Sequence, residues 1–80
     1  MEKRSTMEEL MEVLSALKPE IDFTKETELI DEGLLESFDV ITLIAELEDQ
    51  FEVEIPAEEI VPENFNSAAA LWEMVCRLKG

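Results

Sequence analysis

The 80-residue chain contains no histidine and a single cysteine, Cys76. Histidine is the usual general base and a common metal ligand near neutral pH, so its absence removes the usual partner of an activated serine. One cysteine excludes an intramolecular disulfide and a thiolate metal cluster. Cys76 lies on the flank of an amphipathic segment, which favours a small buried or half-buried apolar residue over a reactive thiol.

Long apolar runs are also missing from the sequence. No stretch approaches the ~18 residues that a membrane span needs, and the first stretch, MEKRSTMEEL, lacks a signal-peptide core. These absences predict a cytoplasmic protein without a membrane span. Eighty residues suffice for one small core, so we expect a single domain over residues 1–80.

Basic residues are scarce. The chain has six basic and 21 acidic residues, which gives a formal net charge of −15, and residues 26–76 contain no base. Such a field repels nucleic acid and anionic membranes and attracts basic protein surfaces. Solvated helix faces kept soluble by charge would show the same excess, so the charge alone does not assign a function.

The apolar spacing predicts a first helix that begins at Ser5 or Thr6 and is ended by Pro19. Each of the two possible caps is followed three residues later by a glutamate, which is a capping-box pattern. Residues 19–36 then have no clean period and are predicted to form a long loop in which Gly33 allows a turn. We expect apolar side chains to pin this loop onto the bundle: Ile21, Phe23, Leu29, Ile30 and Leu34.

A second helix is predicted from Ser37 to Phe51. One of its faces is apolar and consists of Val40, Leu43, Ile44, Leu47 and Phe51. The opposite face consists of Asp39, Thr42, Ala45, Glu46 and Asp49. Phe38 falls on this polar face, so we expect it to be exposed.

The remaining sequence predicts a short helix and a last long one. Val53 and Ile55 alternate with acids like a strand, but no partner strand is available. Pro56 is predicted to open a short third helix that Pro62 stops. A final helix begins after Asn66 or Ser67 as its cap, with an inner face of Ala68, Leu71, Trp72, Val75 and Leu78. The fold class is therefore all-α: a small four-helix bundle, three long helices plus one short, with a long first loop.

Ser37 stands at the start of the most apolar helix, and two interpretations of it are open. It could be a plain N-cap. It could instead be a chemical handle, because an exposed Phe38 and an acidic, base-free surface surround it and a helix N-terminus favours a phosphate. A calcium loop over residues 31–42 fails, since Glu36 stands where glycine is needed and Thr42 where glutamate is needed.

The stretch EGLLESFDVITLIAELEDQFEVEIP resembles the acyl carrier protein superfamily, whose second helix begins with Asp-Ser-Leu. It is most similar to the branch with Gly-Leu-Leu-Asp-Ser-Phe, the D-alanyl carrier proteins and related stand-alone carriers. The resemblance covers the whole chain, because the long loop, the acidic helix, EIP and FNSAAAL follow in the expected order.

The resemblance implies that the chain is not an enzyme and that Ser37 is the attachment site of 4′-phosphopantetheine. A phosphopantetheinyl transferase would add this arm from coenzyme A, and its thiol would hold an acyl or aminoacyl group as a thioester. The implied partners are this transferase, an acyl- or aminoacyl-activating ligase and a downstream acyltransferase or synthase; a monomer and no nucleic-acid partner are expected. Partners would dock on Glu36, Phe38, Asp39, Thr42, Ala45, Glu46 and Asp49.

Four positions depart from the pattern of the fatty-acid carriers. Glu36 replaces aspartate, Phe38 replaces leucine, and Thr42 and Ala45 stand where glutamate and methionine are frequent. These departures favour a carrier that serves a dedicated ligase or acyltransferase over a carrier for fatty-acid synthesis. The choice between an alanyl carrier for cell-wall polymers and a carrier of another small acid stays open.

Two other classes of protein compete with the carrier. An unmodified acidic helical adaptor or nucleic-acid mimic would use the same charge to block a basic surface, with Ser37 as a mere cap. A metal-buffering protein is disfavoured by the missing histidines and the failed calcium loop.

The acid excess predicts that the free energy of unfolding rises with added salt, because screening weakens the repulsion between carboxylates in the folded chain. Urea unfolding at low and high sodium chloride concentration measures this effect, since urea is itself uncharged. A flat response would mean that the acids are better compensated than the sequence indicates.

Overall fold

Helices make up the regular structure of the chain. The computed structural model describes residues 7–79, and within that range it contains no strand. The elements in chain order are α1 (Met7–Leu17), α2 (Ser37–Phe51), a 3₁₀ turn (Ala57–Glu59), α3 (Pro62–Phe65) and α4 (Ala68–Lys79). The predicted all-α bundle of three long helices and one short one is confirmed. The predicted caps of the first helix, Ser5 and Thr6, lie outside the described residues.

The core is built on the apolar stripe of α2. Leu43 and Leu47 are fully buried and Phe51 is 1% exposed, while Val40 and Ile44 are half-buried against them. Helices α1 and α4 pack on this stripe. Burying one such side chain stabilises the fold by about 2 kcal/mol. The observed burial confirms the predicted stripe, and the helix has the predicted bounds.

Helix α4 closes the core with a face slightly different from the predicted one. Leu71 and Val75 are fully buried as expected, but so is Met74, which the prediction left out. Trp72 is half-buried and meets Phe51 edge to face, with ring centroids 5.7 Å apart and an interplanar angle of 64°. This geometry is favourable for aromatic pairs and ties α4 to the end of α2.

The long loop after α1 is held down by its own apolar side chains, as predicted. Phe23 and Leu29 are buried, and the other three predicted anchors, Ile21, Ile30 and Leu34, are half-buried. Leu35 is also buried, although the prediction omitted it. Gly33 has a φ of +73°, the left-handed conformation that a side chain would strain.

Asn66 fastens the loop to the junction of α3 and α4. Its side-chain Oδ1 accepts hydrogen bonds from the backbone N–H groups of Ile30 (2.9 Å) and Asp31 (3.1 Å), and its backbone oxygen accepts one from Leu29 (2.9 Å). The side-chain oxygen of Asn66 therefore binds the loop and does not cap α4. Ser67 caps α4 instead, since its Oγ accepts the N–H of Ala70 at 3.1 Å.

The segment between α2 and α3 corrects one expectation. Pro62 does not stop a helix; it opens α3, because its fixed φ and missing N–H suit the first helical position. The 3₁₀ turn Ala57–Glu59 precedes it, with Pro56 as its cap. Val53 and Ile55 are buried in extended chain, and the N–H of Ile55 bonds to the Glu48 carboxylate at 3.0 Å.

Cys76 also differs from the expectation. Its side chain is exposed rather than buried or half-buried. The buried face of α4 passes through Met74 and Val75, so the next residue turns away from the core.

Leu47→Ala should lower the free energy of unfolding by about 2–5 kcal/mol, because it leaves a cavity in the centre of the core. Ile41→Ala on the same helix is the matched control: Ile41 is 64% exposed, so its change should be within about 0.5 kcal/mol. Equilibrium urea unfolding measures both. Equal losses in the two variants would contradict the burial pattern of α2.

Candidate functional site

Ser37 is the first residue of α2 and is exposed. Its hydroxyl has no hydrogen-bond partner among the described residues. The N-cap is Glu36, in an extended conformation with φ −94° and ψ 172°. The interpretation of Ser37 as a plain N-cap is therefore wrong, because the helix begins one residue earlier than a serine cap would require.

The cap itself is closed by the third helical residue. The Asp39 Oδ2 accepts a hydrogen bond from the backbone N–H of Glu36 at 3.1 Å, which is the return half of a capping box. Ser37 lies between these two residues in the chain. The first turn is thus fixed without using the serine hydroxyl.

Asp39 is less available to solvent than its predicted place on the outer face suggested. Its carboxylate lies 3.2 Å from the Lys18 ammonium, just after the end of α1, and its side chain is only 16% exposed. The Glu36 N–H and then the Lys18 ammonium hold the pKa of Asp39 below its usual range, while Asp39 raises the pKa of Lys18. The pair joins the end of α1 to the start of α2.

An apolar groove of about 370 Å³ opens beside the serine. It runs between the loop and α2 and is lined by Ile30, Leu35, Glu36, Ser37, Val40, Ile41, Ile44 and Ile60. A second hollow shares Ile30, Val40 and Ile60 and continues to α3. A flexible chain attached at the Ser37 oxygen can therefore lie on an apolar surface that begins at its own anchor.

The outer face of α2 is partly apolar. Phe38 is 75% exposed, as expected, and Ile41 is 64% exposed one turn further on. The prediction did not include Ile41. Because Ile41 does not belong to the predicted buried stripe, the sequence could have indicated that it is exposed. A contiguous apolar surface therefore flanks the serine.

The other predicted docking residues divide into two groups. Ala45, Glu46 and Asp49 are exposed. Thr42 is half-buried and, with Glu46, lines a groove against Val13, Ala16 and Leu17 of α1. The carboxylates open to solvent therefore lie on the second half of α2.

None of the helices described is long and apolar enough to cross a membrane. Within residues 7–79, no group of three or more acidic or cysteine side chains is arranged to hold a metal ion.

Comparison with known proteins gives a consistent result. The family described as "Phosphopantetheine attachment site" matches residues 6–75. An aminoacyl carrier protein of Bradyrhizobium diazoefficiens is 43% identical over 54 residues, which cover 68% of this chain and 59% of that protein. The D-alanyl carrier protein of Streptococcus sanguinis is 31% identical over 72 residues, 89% of this chain and 91% of the relative. No solved structure matches significantly.

The family match and the two relatives agree with the helical bundle. The predicted superfamily is thereby confirmed. The chain belongs to the phosphopantetheine-attachment family and is an acyl or aminoacyl carrier, a protein that holds its cargo on a covalent 4′-phosphopantetheine arm rather than a catalyst.

Proposed function

We propose that Ser37 bears the 4′-phosphopantetheine arm and that residues 1–80 form one carrier domain. The observation that carries this proposal is the Ser37 hydroxyl, exposed on the first residue of α2 and without a hydrogen bond to any described residue. A modifying enzyme can reach it without breaking the helix cap, which uses Glu36 and Asp39.

The attachment is a phosphoryl transfer to the Ser37 oxygen. A bond forms between Oγ and the phosphorus that carries pantetheine, the phosphoanhydride bond of coenzyme A breaks, and adenosine 3′,5′-bisphosphate leaves. The hydroxyl proton must pass to the transferase, because this chain has no histidine to accept it. When bound, the arm supplies a thiol that holds the cargo as a thioester.

The start of α2 favours the phosphodiester that results. The first N–H groups of a helix lack intrahelical acceptors, and the helix dipole places partial positive charge there. A monoanionic phosphodiester on the first residue lies close to these groups. The chain thus stabilises the one anion that modification adds to an already acidic surface.

The cargo is proposed to be a small acyl or aminoacyl group. The names of the relatives, an aminoacyl carrier and a D-alanyl carrier, support this class. The groove beside Ser37 supplies apolar side chains such as Ile30, Val40 and Ile60 against which the arm can rest. A dedicated ligase would load the thiol, and an acyltransferase or synthase would unload it.

Partners are proposed to approach a monomer, in the cytoplasm, along the outer face of α2. Glu46 and Asp49 are exposed and would attract basic partner surfaces over long range. Phe38 and Ile41 would contribute apolar contact next to the serine. Glu36 is exposed beside them, while Thr42 and Ala45 lie between the two kinds of contact.

Incubation with coenzyme A and a broad-specificity phosphopantetheinyl transferase should add the mass of one arm to the intact protein. Ser37→Ala should abolish the gain, because the accepting oxygen is removed. Ser15→Ala is the matched control, since Ser15 is an exposed serine on α1 and its loss should leave the gain intact. An unchanged mass for the wild-type protein would instead favour the unmodified adaptor, and a gain retained in Ser37→Ala would place the arm on another residue.

The two kinds of docking contact should separate in binding kinetics with a cognate ligase. Asp49→Lys should slow association and flatten its salt dependence, because it reverses a long-range attraction. Phe38→Ala should instead raise the dissociation rate with little change in salt dependence, because the lost contact is a short-range apolar one. Stopped-flow binding at several ionic strengths measures both rates.

Circular dichroism of both variants is the control, since each side chain is exposed and the fold should persist. Unchanged binding of Phe38→Ala by the ligase, together with a loss of stability, would move the docking patch away from the start of α2.

A further inference from the structure

Lys18 brings a basic side chain from outside α2 to the first turn of that helix. Its ammonium lies 3.2 Å from Asp39 Oδ2 and 3.9 Å from Glu20 Oε2. No base occurs between residues 26 and 76, so α2 has none of its own. Any cation at this turn therefore comes from another part of the chain.

Lys18 is held in place from the α1 side. Its backbone N–H bonds to the Leu14 oxygen at 2.9 Å, which continues the hydrogen-bond pattern of α1 by one residue. Its backbone oxygen accepts the N–H of Ile21 at 3.2 Å. With a side chain only 25% exposed, Lys18 lies against the bundle rather than extended into solvent.

The link continues through Asp39 to the residue before the serine. The same Asp39 Oδ2 that contacts Lys18 accepts the Glu36 backbone N–H at 3.1 Å. Glu36 and Asp39 flank Ser37 in the chain, so the two contacts fix the backbone on both sides of it. Rotation or fraying of this turn would move the Ser37 oxygen.

The charges of Lys18 and Asp39 also affect the reaction at the Ser37 oxygen. The Asp39 carboxylate is on the first turn with Ser37, and coenzyme A presents a negatively charged diphosphate to that serine. A carboxylate without its ammonium partner would repel the incoming phosphate. Lys18 offsets that charge at a distance of 3.2 Å, and the two side chains are only 25% and 16% exposed.

We propose that Lys18 is a positioning residue for the modification of Ser37, acting through Asp39. It restrains the first turn of α2 and balances the charge of the Asp39 carboxylate on that turn. The inference rests on the proposed modification of Ser37. It assigns a role in that reaction to a residue at the end of α1, outside the motif around the serine.

The test measures initial rates of arm transfer from coenzyme A by a phosphopantetheinyl transferase, with the concentration of the carrier varied. Lys18→Met should lower kcat/KM by about threefold to tenfold, and Lys18→Arg should stay within about twofold of wild type because it restores the ion pair. In an Asp39→Asn background, Lys18→Met should have no further effect, since its partner carboxylate is already gone.

Arg77→Met is the matched control. Arg77 also makes an ion pair, 3.1 Å from Glu59 and away from Ser37 in the chain, and its replacement changes the net charge by the same amount. Its rate should equal that of wild type. Circular dichroism gives the folded fraction of each variant, and Lys18→Gln, which keeps a donor for Asp39, replaces Lys18→Met if the latter fails to fold.

Several results would overturn the inference: a wild-type rate in Lys18→Met, an equal loss in Arg77→Met, or the same loss from Lys18→Met with and without Asp39. The first two would reduce Lys18 to a surface charge, and the third would mean that it does not act through Asp39. If the wild-type protein is not modified on Ser37, the proposed function fails instead, and the two failures are distinguishable in the same assay.

Discussion

The central constraint on this molecule is that its core helix, α2, is acidic and has no base of its own. Its buried side, from Leu43 to Phe51, supplies the apolar contacts that hold the bundle together. Its two ends are completed by lysines from elsewhere in the chain. Lys18 reaches the first turn through Asp39, and the Lys79 ammonium of α4 donates to the Phe51 oxygen at 3.1 Å, where a cation is favourable at a helix C-terminus. Packing of α1 and α4 on α2 thus supplies both core and charge.

This arrangement leaves the outer face of α2, the proposed docking surface, open to solvent. Because the lysines act at the ends, the carboxylates of Glu46 and Asp49 remain exposed, and no ion pair among residues 7–79 involves them. Their mutual repulsion opposes folding, and the buried stripe has to offset it. A carrier benefits from that uncompensated field, since it must attract several partner enzymes in turn. In the proposed function, the buried face of α2 therefore serves stability and its exposed face serves recognition.

Most of the fold could be predicted because it depends on local patterns. The bounds of α2, its buried stripe, the turn at Gly33 and the cap at Ser67 follow from apolar period and from residue preferences. Several of the errors concern contacts between residues distant in the chain. Nothing near Asn66 reveals that it binds the loop at Ile30, 36 residues away, and nothing near Asp39 reveals Lys18. Likewise, proline preference alone allows Pro62 either to stop a helix or to open one.

The site itself shows why the departure at Glu36 is compatible with the carrier family. A glutamate is a weaker side-chain cap than the family's aspartate, yet the bond that closes this turn uses the Glu36 backbone N–H and the Asp39 carboxylate. Capping therefore depends less on the length of the side chain at position 36 than on Asp39 and the lysine that holds it. Since Glu36 and Asp39 complete the cap, the hydroxyl of Ser37 takes no part in capping the helix. A serine with that freedom at the positive end of a helix is suited to accept a phosphate.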